Sequence, residues 1–221
     1  MEKKTDFKAL TPKAKVGYIW DYYRWYIVGA ICVIAFLGSL IHHYATYKES
    51  VLDIMMVNTT LPYIEDISGF DEFFELEGLD ASSQEINVDT SNTYNLTDTA
   101  SSTNYYTDEA VSISFAVGDL DLFFAPEVFF ESFGASGCLT DLSTVLTPEE
   151  MDAYADILVY ATDPETNITI PCGVLLTDNT WITKNQYYED ACCFGIAINT
   201  DAPDLSVAFF RYLMSFETSV E

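Results

Sequence analysis

Residues 117–146 read VGDLDLFFAPEVFFESFGASGCLTDLSTVL, and their reading decides the fold class. The segment 120–125, LDLFFA, is apolar except at Asp121, the composition of a strand buried on both faces. Pro126 cannot extend a sheet ladder but suits the first turn of a helix, so a helix is predicted over 127–135, with Gly137 just past its end. A doubly buried strand passing straight into a helix indicates helices layered over a sheet.

The same alternation continues outward. Residues 51–57, VLDIMMV, form a first strand, interrupted only by Asp53. Residues 62–79 read as an acidic helix whose Ile64, Ile67, Phe70, Phe73, Phe74 and Leu76 recur at three- and four-residue spacing. A short strand is expected at 85–89. Residues 89–108, rich in Thr, Ser and Asn, read as a long loop, and a helix over 107–117 follows. Downstream, Thr147-Pro148-Glu149-Glu150 is a strong helix start, with a Thr cap, Pro at the first helical position and acids at the positive end of the dipole. Strands at 157–160, 168–176 and 194–199 precede a final helix over 202–215 carrying Val207, Phe209, Phe210, Leu213 and Met214. The expected fold is α/β: an αβα domain with a mostly parallel sheet.

Charge divides the 221 residues. There are 35 acidic and 9 basic side chains, a formal net charge of −26. Residues 1–24 carry Lys3, Lys4, Lys8, Lys13, Lys15 and Arg24 and net +3, whereas 51–221 net −29 with Lys184 and Arg211 as the only cations. Hydrophobic content of 49% with 15% aromatics argues against intrinsic disorder. So acidic a chain is not expected to bind nucleic acid, which needs a basic surface.

Between the two charge regimes lies WYIVGAICVIAFLGSLI, residues 25–41, without a charged side chain. As a helix it covers about 25 Å, and 42–47 can extend it across a bilayer. Trp20, Tyr22, Tyr23, Arg24 and Trp25 crowd its entrance as membrane-interface residues do, and the cations on its N-terminal side place that side in the cytoplasm. A cleaved signal peptide would need a clear small-residue site after the apolar run. The expected organisation is a cytoplasmic basic and aromatic juxtamembrane segment over 1–24, a single-pass transmembrane helix (a signal anchor) over 25–47, and an acidic extracytoplasmic α/β domain over 48–221. The chain is thus expected in the plasma membrane with the lipid bilayer as its first partner.

Two resemblances bear on this organisation. Residues 10–27, LTPKAKVGYIWDYYRWYI, resemble the opening of small single-pass membrane proteins of Gram-positive bacteria, through the YIWDYY-like box at Tyr18–Tyr23 followed by Arg24 and Trp25. Residues 117–146 resemble extracellular solute-binding (periplasmic-binding-protein-like) domains, through Gly118, Asp119, Asp121, Leu122, Phe123 and Phe124 and then Gly137, Leu139, Asp141 and Leu142. NITIPCGV at 167–174 resembles the strand by which such chains return to the other lobe, and 194–215 resembles their strand–Asn–helix finish. The resemblance implies a reduced module of that fold, because full two-lobed receptors have longer chains outside the membrane.

The chemistry expected of the domain is binding, not catalysis. The only histidines, His42 and His43, sit at the outer end of the span, so a Ser–His or Cys–His pair is not available beyond it. Cys138, Cys172, Cys192 and Cys193 are either small core residues or partners in one disulfide, and their spacing is not that of a zinc site. No metal or cofactor is expected. Solute-binding clefts combine aromatic faces with hydrogen-bonding groups, which nominates Tyr105, Tyr106, Asp119, Trp181, Tyr187 and Tyr188 as ligand-binding residues. With so few cations, a ligand should be a small neutral or cationic solute. The function expected is ligand binding or sensing at the membrane; the alternative is a non-catalytic interaction or assembly factor on a degenerate solute-binding fold, with a membrane-protein partner.

Overall fold

The computed structural model describes residues 11–60, 68–98 and 100–216. The chain divides into two units, Met1–Tyr47 and Lys48–Glu221. The first is built on one helix, α1 (Pro12–Thr46), which opens on Pro at its first turn after Thr11. Its segment Tyr23–Tyr44 is long and apolar enough to cross a membrane. Apolar side chains are exposed along it, among them Trp25, Ile34, Phe36 and Ile41, as lipid-facing positions are and core-helix positions are not.

The second unit orders its elements as β1 (Glu49–Met56), α2 (Ser68–Glu77), β2 (Gln84–Asp89), α3 (Ser102–Val117), β3 (Leu122–Ala125), α4 (Glu127–Ala135), a 3₁₀ turn (Leu142–Thr144), α5 (Pro148–Ala153), β4 (Leu158–Thr162), β5 (Thr169–Leu176), α6 (Thr180–Lys184), β6 (Cys192–Ile196) and α7 (Pro203–Met214). The strands form one six-stranded sheet among the described residues, in the order β2-β1-β3-β6-β5-β4. The chain runs from β1 outward to β2 and then back across β1 to β3. Parallel crossovers share one hand, so this reversal requires α2 and α3 on opposite faces. They are. Phe70, Phe73 and Phe74 of α2 join Trp181 of α6 and Phe209, Phe210 and Leu213 of α7 over one face. Val111 and Phe115 of α3 join Phe129, Phe130 and Phe133 of α4 over the other. The expected αβα layering is present, and β3 is fully buried as its composition requires.

The sheet is mixed, not mostly parallel. β1 is parallel to β2 and β3, whereas β6 is antiparallel to β3 and β5, and β4 to β5. The connections set the sense. Residues 163–168 between β4 and β5 are too few for a parallel crossover and make a tight turn instead. In that turn Asp163 N donates to Ile168 O at 3.0 Å, the Asp163 carboxylate accepts from Glu165 N at 2.7 Å, and Asn167 takes the left-handed conformation. Close packing also fixes β5 against β6. Gly173 and Gly195 leave room for the Phe130 ring, and a Cβ at Gly195 would lie 2.7 Å from that ring and 2.8 Å from Cys172 O.

Helix starts follow the expected chemistry at α5, where the Thr147 hydroxyl accepts from Glu150 N at 3.2 Å and the Glu150 carboxylate accepts from Thr147 N at 2.8 Å. Arg211 on α7 reaches the same carboxylate at 2.7 Å, and this pairing holds the Glu150 pKa down to about 2. α3 begins earlier than expected, at Ser102, with Ser101 as its cap. Of the helix expected over 62–79, Ser68–Glu77 is helical, and 61–67 lie outside the described residues.

Candidate functional site

Strands β1 and β3 are neighbours, but the chain leaves β1 toward β2, on the side away from β3. In open α/β sheets the loops beyond the carboxyl ends of two such strands diverge, and ligands bind in the crevice between them. In this domain the protein's own side chains occupy that position. The Tyr188 hydroxyl donates to Val57 O at 3.0 Å and lies 3.4 Å from Phe124 O, at the ends of β1 and β3. Tyr188 is 8% exposed, and burial pushes its phenol well above the usual tyrosine range.

The flanking loops are tied shut as well. Asn58, in the left-handed conformation, donates through Nδ2 to Tyr94 O at 2.8 Å and accepts from Tyr94 N at 2.6 Å. The Tyr94 ring packs 4.4 Å from that of Phe129. On the other side the Thr59 hydroxyl donates to Tyr187 O at 2.7 Å, and Thr60 N donates to the same carbonyl at 2.9 Å. What remains is an open depression of about 490 Å³ lined by Thr60, Thr183, Gln186, Tyr188 and Glu189. Two further hollows, of about 390 and 220 Å³, flank the β4–β5 turn at Asp163.

The structure does not gather the six nominated ligand residues into one cleft. Trp181, Tyr187 and Tyr188 are core residues: the Trp181 indole N–H donates to Gly69 O at 2.9 Å, and its ring lies 4.8 Å from that of Tyr187. Tyr105 and Tyr106 are 65% and 67% exposed on α3, edge to face at 5.8 Å. Asp119 is exposed in the loop after α3. At the other unit, Trp20, Tyr23, Arg24 and Trp25 are exposed on α1, with the Arg24 guanidinium 5.7 Å above the Trp25 ring, and Tyr22 belongs to the same helix.

A buried polar node was not singled out by the sequence. Asp121, 2% exposed at the head of β3, accepts from Asp53 N at 2.8 Å and from the Thr200 hydroxyl. Thr200 is 3.2 Å from the Ser206 hydroxyl and accepts from Ala202 N at 3.1 Å, so the node ties the start of α7 to the sheet. Burial pushes the Asp121 carboxyl up, opposed by the Thr200 and Asp53 hydrogen bonds and reinforced by the nearby charges of Asp201 and Asp53. The one sequence signal was Asp121 itself, a lone acid inside an apolar strand. A second missed feature is the Asn104–Thr107 pair. Asn104, 1% exposed, accepts from Asn95 N at 2.6 Å and donates to Asn95 O at 3.0 Å, and the Thr107 hydroxyl donates to Thr93 O at 2.6 Å. These bonds fold the 93–98 loop onto α3.

Among the described residues, no group of three or more His, Cys, Asp or Glu could hold a metal ion. Cys172 and Cys193 are buried free thiols, Cys138 is a half-buried one, and Cys192 is buried as well. Burial raises the Cys172 thiol to about 11 and pushes that of Cys193 up as well, so both remain protonated and inert at neutral pH. No protein-family model, curated protein or solved structure matches the chain.

Proposed function

We propose that the chain is a membrane-anchored, non-catalytic interaction module, in which a single span holds an acidic α/β domain at the outer face of the plasma membrane. The observation that carries this reading is Tyr188: it fills the crevice in which an open α/β sheet would seat a ligand, and it caps both strand ends with its own hydroxyl. A domain closed there acts through its outer surface. The N-in orientation is supported by the excess of cations before the span and by the −29 of residues 51–221.

A second reading keeps the solute. The depression beside Tyr188 lies at the rim of the filled crevice and carries Glu189 together with the hydroxyl and amide groups of Thr60, Thr183 and Gln186, which suits a small neutral or cationic ligand. Thermal-shift measurements on the 48–221 fragment, a unit with two cores of its own, separate the two. Sugars, short peptides, polyamines and Ca²⁺ should leave its melting temperature unchanged. Saturable stabilisation by one of them, lost on Gln186→Ala, would replace the interaction reading with solute capture.

A further inference from the structure

The outward face of α3 is apolar along a helical stripe. Tyr106, Ala110, Ile113 and Val117 follow one another at four-, three- and four-residue spacing, and Tyr106, Ile113 and Val117 are 67%, 55% and 65% exposed. Tyr105 widens the stripe at its N-terminal end. The face cannot relax by rotation of the helix. Val111 and Phe115 are locked in the core, and Asn104 and Thr107 hold the 93–98 loop on the same inner side. These large side chains are therefore held toward solvent, ordered before any partner arrives.

Charge indicates what covers them. Residues 49–183, in which α3 is centred, contain no Lys, Arg or His. Glu109 sits within the stripe, four residues from Tyr105 and four from Ile113, and exposed Asp98 and Asp119 stand beyond the two ends of the helix. The carboxyl end of α3 adds the negative pole of its dipole beside Val117. A second copy of this domain would bring −29 against −29 and is repelled. The geometry points to a basic amphipathic helix of a partner protein as the occupant, with its apolar face on Tyr106, Ile113 and Val117 and its cations toward Glu109, Asp98 and Asp119. This rests on the interaction-module reading and names its surface and the chemistry of its partner.

The test titrates the 48–221 fragment with a Leu-faced, Lys-flanked amphipathic helical peptide, and with a scrambled peptide of the same composition. The amphipathic peptide should bind saturably and more weakly as salt rises, and the scrambled one should bind far less. Ile113→Ser combined with Val117→Ser should weaken binding by roughly tenfold or more, without moving the melting temperature. Ile113→Leu should retain binding, and Val128→Ser, at a comparably exposed apolar position on α4, should leave it intact. Equal affinity for the scrambled peptide, or for the double Ser variant, would reduce the effect to the general acidic field and overturn the assignment of this face. Tighter binding of a Glu-flanked peptide, or self-association of the fragment through α3, would overturn the basic partner. Stabilisation by a small solute, with no peptide binding, would remove the module reading itself.

Discussion

Tyr188 and Asp121 show how single side chains can tie down the two ends of a buried strand, β3. Tyr188→Phe leaves the Val57 carbonyl buried without its hydroxyl donor, and should cost about 1–2 kcal/mol in denaturant unfolding of the 48–221 fragment. A variant as stable as the parent would mean that the hydroxyl does not hold the strand ends. Asp121 acts in the opposite sense to Glu150. Its folded-state pKa is raised, chiefly by burial, so ionisation opposes folding, and stability is lost as pH rises through that value. Asp121→Asn removes the ionisable group. Comparing unfolding free energies between about pH 4 and about pH 7, the balance between variant and parent should move in favour of the variant as pH rises. Glu150, held low by Arg211, instead contributes stability that is lost as pH falls toward about 2. A pH-independent difference between the Asp121→Asn variant and its parent would contradict the burial argument.

At the level of elements, legibility depended on whether the deciding chemistry was local. The β3–α4 unit and the Thr147–Glu150 capping box were readable because composition, Pro and cap all lie within a few residues. The start of α3 was not. Asn104 and Thr107 are poor helix formers, and their reason for being helical is the distant 93–98 loop that they bind. α6 is five residues long, too short for a periodic signal, although its Asn179 cap, accepting from Trp181 N at 3.0 Å, was visible as a residue type. Strand direction is set by the connections, so an apolar run such as Cys192–Ile196 cannot announce that it is antiparallel. Nor do aromatics distinguish a core from a cleft, so composition alone nominates Trp181, Tyr187 and Tyr188, which are all buried, with Tyr188 alone of the three lining the depression. Gly173 tests the packing of α4 on the sheet. A Cβ there would collide with the Phe130 ring and with Phe194 O, so Gly173→Ala should cost about 1–3 kcal/mol by chemical denaturation. Adding Phe130→Leu should recover part of that loss, since only the ring contact can yield. Additive losses would show that the ring is not what the glycine accommodates.

For the whole molecule, the unequal division of charge about the apolar helix is the feature on which the proposed membrane orientation rests. An impermeant maleimide applied to intact cells should label Asn95→Cys, made in a Cys138→Ser background, and should not label a cysteine introduced at Lys4. The reverse pattern would invert the orientation. The filled crevice, the closed loops and the rigid apolar stripe of α3 support the proposal that the domain works by surface contact. Photo-crosslinking of the full chain in intact cells is the sharpest test of that proposal, with the reactive group placed at Ile113 and, for comparison, at exposed Glu165 in the β4–β5 turn. A discrete adduct is expected from position 113, to a protein whose crosslinked segment is basic and amphipathic, and none from position 165. Equal yields from the two positions, or an adduct from 165 alone, would contradict it.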